Sequence, residues 1–158
     1  MKHRIQPTRL GDVALAVDDE GTLTGLWFVT DQAHAPSDDR LGERDDTVAA
    51  AAAAQLVEFL DGARTSFELN LAPQGTPFQQ RVWRALLDIP YGETSTYGRL
   101  AATLGSSARA VGTAVGRNPI GIIVPCHRVV GADGALTGYA GGLPRKTALL
   151  TLEGAILG

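Results

Sequence analysis

Cysteine is nearly missing from this sequence: Cys126 is the only one in 158 residues. A lone thiol excludes an internal disulfide, so nothing in the chain calls for an oxidising compartment. Long apolar runs are missing too. No stretch approaches the roughly 20 residues of a membrane-spanning helix, and Met1 to Pro7 carries basic residues with no apolar run behind them, which argues against a secretory leader. A cytoplasmic protein without membrane contact is expected. Histidine occurs three times; neither His3 nor His34 has a second His or Cys at ligand spacing, so no metal is expected.

What is present is enough to fold: 44% of residues are apolar, which allows one domain or two small ones. The net charge of -3 conceals an asymmetry, since residues 1–75 sum to -7 and residues 76–158 to +4. The basic half also holds Cys126. A positive face on an acidic protein suits a polyanion such as nucleic acid.

In the first half, apolar runs at Asp12–Val17 and Thr22–Val29 flank an acidic turn ending in Gly21 and read as a β-hairpin. Residues 31–46 are polar and aperiodic and read as a loop. Thr47–Leu60, with alanines at every position from 49 to 54, reads as a helix packed through its C-terminal half. Asp61-Gly62 closes it, and alternation of Phe67, Leu69 and Leu71 with polar residues suggests a short strand. No catalytic constellation stands out here.

The second half opens with a capping box, Thr76 with Gln79, and Pro77 at the first helical position. Phe78, Val82, Trp83, Leu86 and Leu87 then form one apolar face. Ile89-Pro90-Tyr91-Gly92 ends that helix. An extended piece at 93–95 leads to Thr96, the cap of a helix ending at Gly105, and Ser106 or Ser107 caps the next, which runs to Gly116. Two short helices joined by a glycine-containing turn form a helix-turn-helix pattern. In the second of these helices Val111 and Val115 should pack inward, while Arg109, Gly112, Thr113 and Gly116 share an outer face. That face is too bare to read bases in a major groove, but it can approach a sugar-phosphate surface or a minor groove closely, without regard to sequence. Arg117-Asn118-Pro119 stops the helix, Ile120–Val124 reads as a buried strand, Asp133-Gly134 as a hairpin turn, residues 138–142 as a loop, and residues from Pro144 to Leu152 as a final helix halted by Glu153-Gly154.

Cys126 is followed directly by His127. A thiol with an ordinary pKa near 8.5 needs a partner to accept its proton, and His127 is the candidate. Neighbours in an extended chain point to opposite sides, so the pair needs a bend at Pro125 or a water between them. A histidine base also needs a third group; Glu153 is the best placed of Asp88, Glu93, Asp133 and Glu153. Acyl transfer and alkyl transfer both fit such a pair. The neighbouring sequence-blind helix favours alkyl transfer from a base extruded from the duplex.

The segments Thr76-Pro77-Phe78-Gln79-Gln80-Arg81-Val82-Trp83, Ile89-Pro90-Tyr91-Gly92, Ala108-Arg109-Ala110-Val111-Gly112, Asn118-Pro119, Pro125-Cys126-His127-Arg128-Val129 and Gly138-Tyr139-Ala140-Gly141-Gly142 resemble the O6-alkylguanine-DNA alkyltransferases, closely over residues 76–154 and more loosely over 8–29. The resemblance implies an α/β (α+β) protein, with a small RNase H-like α/β domain at 1–72 and a mainly helical DNA-binding and alkyl-acceptor domain at 73–158. It implies stoichiometric transfer of the alkyl group of O6-methylguanine, and less readily O4-methylthymine, from double-stranded DNA to Cys126 without a cofactor. A Cys-water-His-Glu relay would correspond to Cys126, His127 and Glu153, the tyrosine that protonates the departing base to Tyr97, and the brace of the active-site turn to Asn118. Arg109 would fill the gap left by the flipped nucleotide. Ala110, Gly112, Thr113, Arg128, Val129, Tyr139, Ala140 and Gly141 would meet DNA or the base. A monomer is expected, with cooperative assembly on DNA left open.

The sequence departs from the family pattern in three places: a short turn at 105–109, Arg9 where proline is usual, free to touch DNA or a neighbouring protein, and Ala140 where some members have serine. Two rival readings remain: a module that only binds alkylated bases, and a hydrolase or acyltransferase using the same pair.

Overall fold

Residues 1–36 and 38–156 are described by the computed structural model. The expected hairpin is present as β2 (Val13–Val17) and β3 (Leu23–Phe28), paired antiparallel. It belongs to a four-stranded sheet in which β1 (Lys2–Gln6) pairs antiparallel with β2, and β4 (Glu43–Arg44) pairs parallel with β1. β1 carries no signal in the sequence, because Lys2, Arg4 and Gln6 lack an apolar alternation. The stretch 31–46, expected as a loop, contains β4 and a short helix, α1 (Asp38–Leu41); Ser37 within it lies outside the described residues. Two- to four-residue elements are held by tertiary pairing rather than by their own periodicity.

Period-two alternation gives the sheet two different faces. Val13, Leu15 and Val17 point into the main core, while Ala14 and Ala16 point outward beneath Leu41 of α1, with Ile5 and Trp27 beside them. Gly25 is required on that outer face, because a Cβ there would come within 2.1 Å of the Trp27 ring. On the inner face lies α2 (Ala50–Leu60), burying Ala52, Ala53, Leu56, Phe59 and Leu60. Arg9, expected to be free for a partner, donates to the Leu60 carbonyl at 2.8 Å and so serves the C-terminal end of α2. Residues 67–71 are extended but make only an isolated bridge, Leu71 to Leu23, rather than the expected strand.

The capping box of Thr76 and Gln79 is formed and starts α3 (Pro77–Leu87). Val82, Trp83 and Leu86 are buried, but Leu87 is 49% exposed and stands off the expected apolar face. Beyond it, β5 (Ser95–Thr96) runs straight into α4 (Tyr97–Leu104), capped by Thr96, and Gly105 ends that helix at φ 64. Ser107 caps α5 (Ala108–Gly116). Trp83 Nε1 donates to the Ala114 carbonyl at 2.9 Å and locks α3 against α5. Val111 and Val115 face inward as expected.

Ile120–Val124 is buried but is not a strand. It forms a compact turn in which Ile122 takes φ 68, an unusual conformation for a β-branched residue. After a 3-10 turn at Cys126–Arg128, β6 (Val129–Val130) pairs parallel with β5. The Asp133-Gly134 turn is present, with Gly131 N–H bonded to the Ala135 carbonyl, but no antiparallel ladder extends it. The chain closes with α6 (Leu143–Leu152). One continuous apolar core joins both halves, from Leu15 and Phe59 to Val111, Ile120 and Leu149. No helix among the described residues is long and apolar enough to cross a membrane.

Candidate active site

Cys126 is placed by three constraints: the bend at Pro125, the 3-10 turn that follows, and the turn that precedes it. The Asn118 side chain spans that preceding turn, donating through Nδ2 to the Val124 carbonyl at 2.8 Å and accepting from Ile120 N–H at 3.0 Å. Both ends of the Ile120–Val124 segment are thereby tied to one residue, which holds Ile122 in its strained conformation. Downstream, β6 pairs with β5, and so fixes Tyr97, the first residue of α4, beside the thiol segment.

The expected third member of the relay is present. His127 Nε2 lies 2.7 Å from Glu153 Oε2, both side chains fully buried. Glu153 closes α6 as its C-cap, which brings it back onto the core. Arg128 grips the same carboxylate through Nε to Oε1 at 2.8 Å and an Nη to Oε2 at 2.9 Å, and donates to the Ile89 carbonyl at 2.7 Å. Burial alone would raise the Glu153 pKa, but the bonds from His127 and Arg128 outweigh it and hold the carboxyl below its usual value. Burial lowers the His127 pKa despite the upward pull of Glu153, so the imidazole is neutral near pH 7. A neutral ring that donates from Nε2 to a carboxylate has its lone pair on Nδ1. That Nδ1 is buried with no protein partner among the described residues. Burial raises the Cys126 pKa, opposed by the Asn118 amide and the positive charge of Lys146. The resting group is therefore a thiol, with a base available one residue away.

Above the thiol opens a cleft of about 620 Å³, lined by Tyr97, Arg109, Gly112, Cys126, Tyr139 and Ala140 among others. Arg109, in the first turn of α5, is exposed and also borders a second groove of about 450 Å³ with Ala110 and Thr113. Gly112 and Gly116 are not demanded by the protein's own packing: a Cβ on the first would meet Tyr97 at an ordinary 3.6 Å, and on the second nothing within 4 Å. Gly141 stands behind the wall, not in it; a Cβ there would strike Tyr139 at 2.7 Å.

Two expected contacts lie elsewhere. Arg128 was expected against substrate, but it is buried in its bond with Glu153, under Tyr91. Val129 turns its side chain into the core, and its carbonyl accepts from Lys146 Nζ at 2.7 Å. Lys146 itself was missed: its side chain is buried, and Nζ also donates to the Thr137 carbonyl at 3.0 Å, joining the thiol segment to the far lip of the cleft. The signal was available, since Lys146 occupies the i, i+3, i+4 stripe with Leu149 and Leu150. Also missed were Thr137, whose hydroxyl donates to the Tyr97 hydroxyl at 3.3 Å, and Ala33 and His34, which reach the cleft from the first half. The described residues contain no cluster of three or more His, Cys, Asp or Glu able to hold a metal ion.

Residues 77–155 match the family described as the DNA-binding domain of 6-O-methylguanine DNA methyltransferase. The methylated-DNA–protein-cysteine methyltransferase of Methanosarcina acetivorans is 46% identical over 98% of this chain and 99% of its own. That of Mycolicibacterium paratuberculosis is 49% identical over 97% and 92%. Mycobacterium tuberculosis OGT, solved in complex with DNA, superposes with a TM-score of 0.90 at 47% identity, covering 97% of this chain and 93% of that one.

Proposed function

This chain belongs to the methylated-DNA–protein-cysteine methyltransferases, and on that premise we propose that it repairs O6-methylguanine, and less readily O4-methylthymine, in double-stranded DNA by moving the alkyl group irreversibly to Cys126. The observation that carries the proposal is the buried Cys126–His127–Glu153 arrangement at the floor of a cleft edged by a bare helix.

In this reading α5 lies in the minor groove, Gly112 and Thr113 let the backbone approach closely, and Arg109 occupies the space of the extruded nucleotide. Residues 73–158 carry DNA binding and the acceptor; residues 1–72 supply the supporting sheet. Glu153 orients His127, whose Nδ1 takes the Cys126 proton through one water. The sulfur then attacks the methyl carbon, the S–C bond forms as the C–O6 bond breaks, and the purine leaves with a proton supplied through the Tyr97 hydroxyl. Tyr139 and Ala140 wall the base, and Asn118 keeps the thiol in place. The product is a thioether with no hydrolysable bond, so each molecule reacts once. No cofactor takes part, because the lesion is itself the alkyl donor.

The test is the intact mass of the protein after incubation with a duplex containing O6-methylguanine. A gain of one methyl, mapped to Cys126 and lost in Cys126→Ser, is expected. Tight binding without mass gain would instead make the protein a recognition module, and repeated turnover would refute the suicidal reaction.

A further inference from the structure

The relay residues and the helix face all come from the second half of the chain, yet one wall of the cleft depends on the first half, and the connection runs through a side chain the reaction does not use. Arg145, in the first turn of α6, donates through Nε to the Leu10 carbonyl at 2.9 Å. Its Nη1 donates to the carbonyls of Thr30 at 2.8 Å and Gly141 at 3.2 Å. The guanidinium lies 3.9 Å from the centroid of the Phe28 ring. Three separate segments are thus tied by one rigid fork: the turn before β2, the end of β3, and the 138–142 loop. Phe28 in turn packs behind Gly141, whose missing Cβ would meet its ring at 3.2 Å. A second tie, Ala33 N–H to the Ala140 carbonyl at 2.7 Å, runs beside the first.

The tied loop carries Tyr139 and Ala140, which line the cleft over Cys126. Within the second half it is anchored at its start, by Lys146 on the Thr137 carbonyl, and closed by Gly142 N–H on the Tyr139 carbonyl at 2.9 Å; residues 138–140 make no strand or helix, and Gly138 has open space around it. Where the loop stands relative to the first half therefore rests on the two ties.

We propose that Arg145 is a positioning residue that sets the width of the base pocket by pinning the Tyr139–Ala140 wall to the N-terminal sheet, and so limits the size of alkyl group that Cys126 accepts. The inference rests on the alkyl-transfer reading above. A guanidinium suits the task because its donors radiate in one plane toward carbonyls on different segments, which a single ammonium cannot reproduce.

The experiment compares wild type, Arg145→Ala and Arg145→Lys in single-turnover reactions with a methylguanine duplex and with free O6-benzylguanine, below the melting temperature of each variant. Rates are taken per active molecule, counted from the final mass gain. Loosening the wall should slow methyl transfer by roughly tenfold to a hundredfold through misplacement of the base. Because the larger group depends less on a close wall, the benzyl-to-methyl rate ratio should rise about fivefold or more, and Lys should behave like Ala. A ratio within fivefold of wild type, or full restoration by Lys, would overturn the proposal. A loss of stability alone lowers the active fraction but leaves the ratio unmoved. If wild type gains no methyl at all, the alkyl-transfer reading has failed rather than the role of Arg145.

Discussion

Replacing Glu153 by Gln changes only one oxygen for an amide nitrogen, yet it should damage both the stability and the chemistry. The native carboxylate accepts from His127 Nε2, from Arg128 Nε and from an Arg128 Nη, at 2.7, 2.8 and 2.9 Å, in a site its side chain does not share with solvent. Gln offers one accepting oxygen and one donating NH2. The guanidinium cannot give up its proton, so the oxygen should turn to Arg128 and the NH2 to His127. Arg128 then keeps one neutral acceptor here and the Ile89 carbonyl in place of a paired charge. Breaking a buried ion pair from one side costs about 3–5 kcal/mol, which for a chain of this size lowers Tm by about 6–20 °C. The chemical effect is separate. An NH2 facing Nε2 forces that nitrogen to accept and moves the ring proton to Nδ1, the atom needed to take the thiol proton. Transfer per folded molecule should fall by about 10²–10⁴. Time courses of mass gain, normalised to the folded fraction from circular dichroism, measure this. Arg128→Met is the control, because it removes the ion pair but leaves the imidazole tautomer; it should unfold early yet react, per folded molecule, within about tenfold of wild type. A Glu153→Gln rate equal to that of the control would refute the tautomer argument.

The transfer rate should be flat near neutrality and fall only as pH drops below the usual imidazole value near 6.5, because burial lowers the His127 pKa; a rate that already falls above that value would contradict a lowered, neutral His127 as the base. Stability should fall on the same side, since the unfolded chain takes up protons on its imidazole and carboxyl groups before the lowered His127 and Glu153 do; a denaturation series from pH 7 to 4 reads it. Arg109→Ala should slow repair in duplex far more than reaction with free alkylguanine, because extrusion is the step it assists, and equal losses would remove that role. Tyr97→Phe should slow transfer by about 10²-fold or more if its hydroxyl delivers the proton, with duplex affinity nearly unchanged; a matching loss of affinity would make it a binding residue instead.

How much of this was legible before the fold was known differs between the site's parts. The meeting of His127 with Glu153 beside Cys126 was, because Cys126 is unique, His127 is adjacent, and Glu153 sits where a terminal helix must return to the core. The helix starts were legible too, since Thr76, Thr96 and Ser107 cap locally and all three bonds are formed. What failed was structure set by partners that apolar periodicity does not register. Residues 120–124 are apolar in strand-like fashion, but Asn118 closes them into a turn. Lys2–Gln6 carries no pattern, but Val13–Val17 pairs with it. Arg128 is expected against DNA or the base by the resemblance, whereas its fork is spent on Glu153. Ala33 and His34 are invisible as cleft residues in any local reading, because they arrive from more than ninety positions away from Cys126.

The raised pKa of Cys126 makes sense for a group that reacts once. A thiolate kept ready at rest is exposed to oxidants and to any stray electrophile, and a protein consumed by reaction has no later turnover in which to recover from such an event. Burial keeps the sulfur protonated and only 7% exposed. In the proposed reaction the neutral His127, whose Nδ1 has no partner among the described residues, would supply the base locally, so that ionisation is deferred until an alkyl carbon is in line. Oriented approach of the reacting atoms then lowers the barrier without requiring a reactive resting state. Substitutions that lower the thiol pKa without moving the cleft should therefore increase reaction with small alkylating agents more than repair of duplex, because the duplex reaction also requires extrusion and seating of the base, which the thiol pKa does not change.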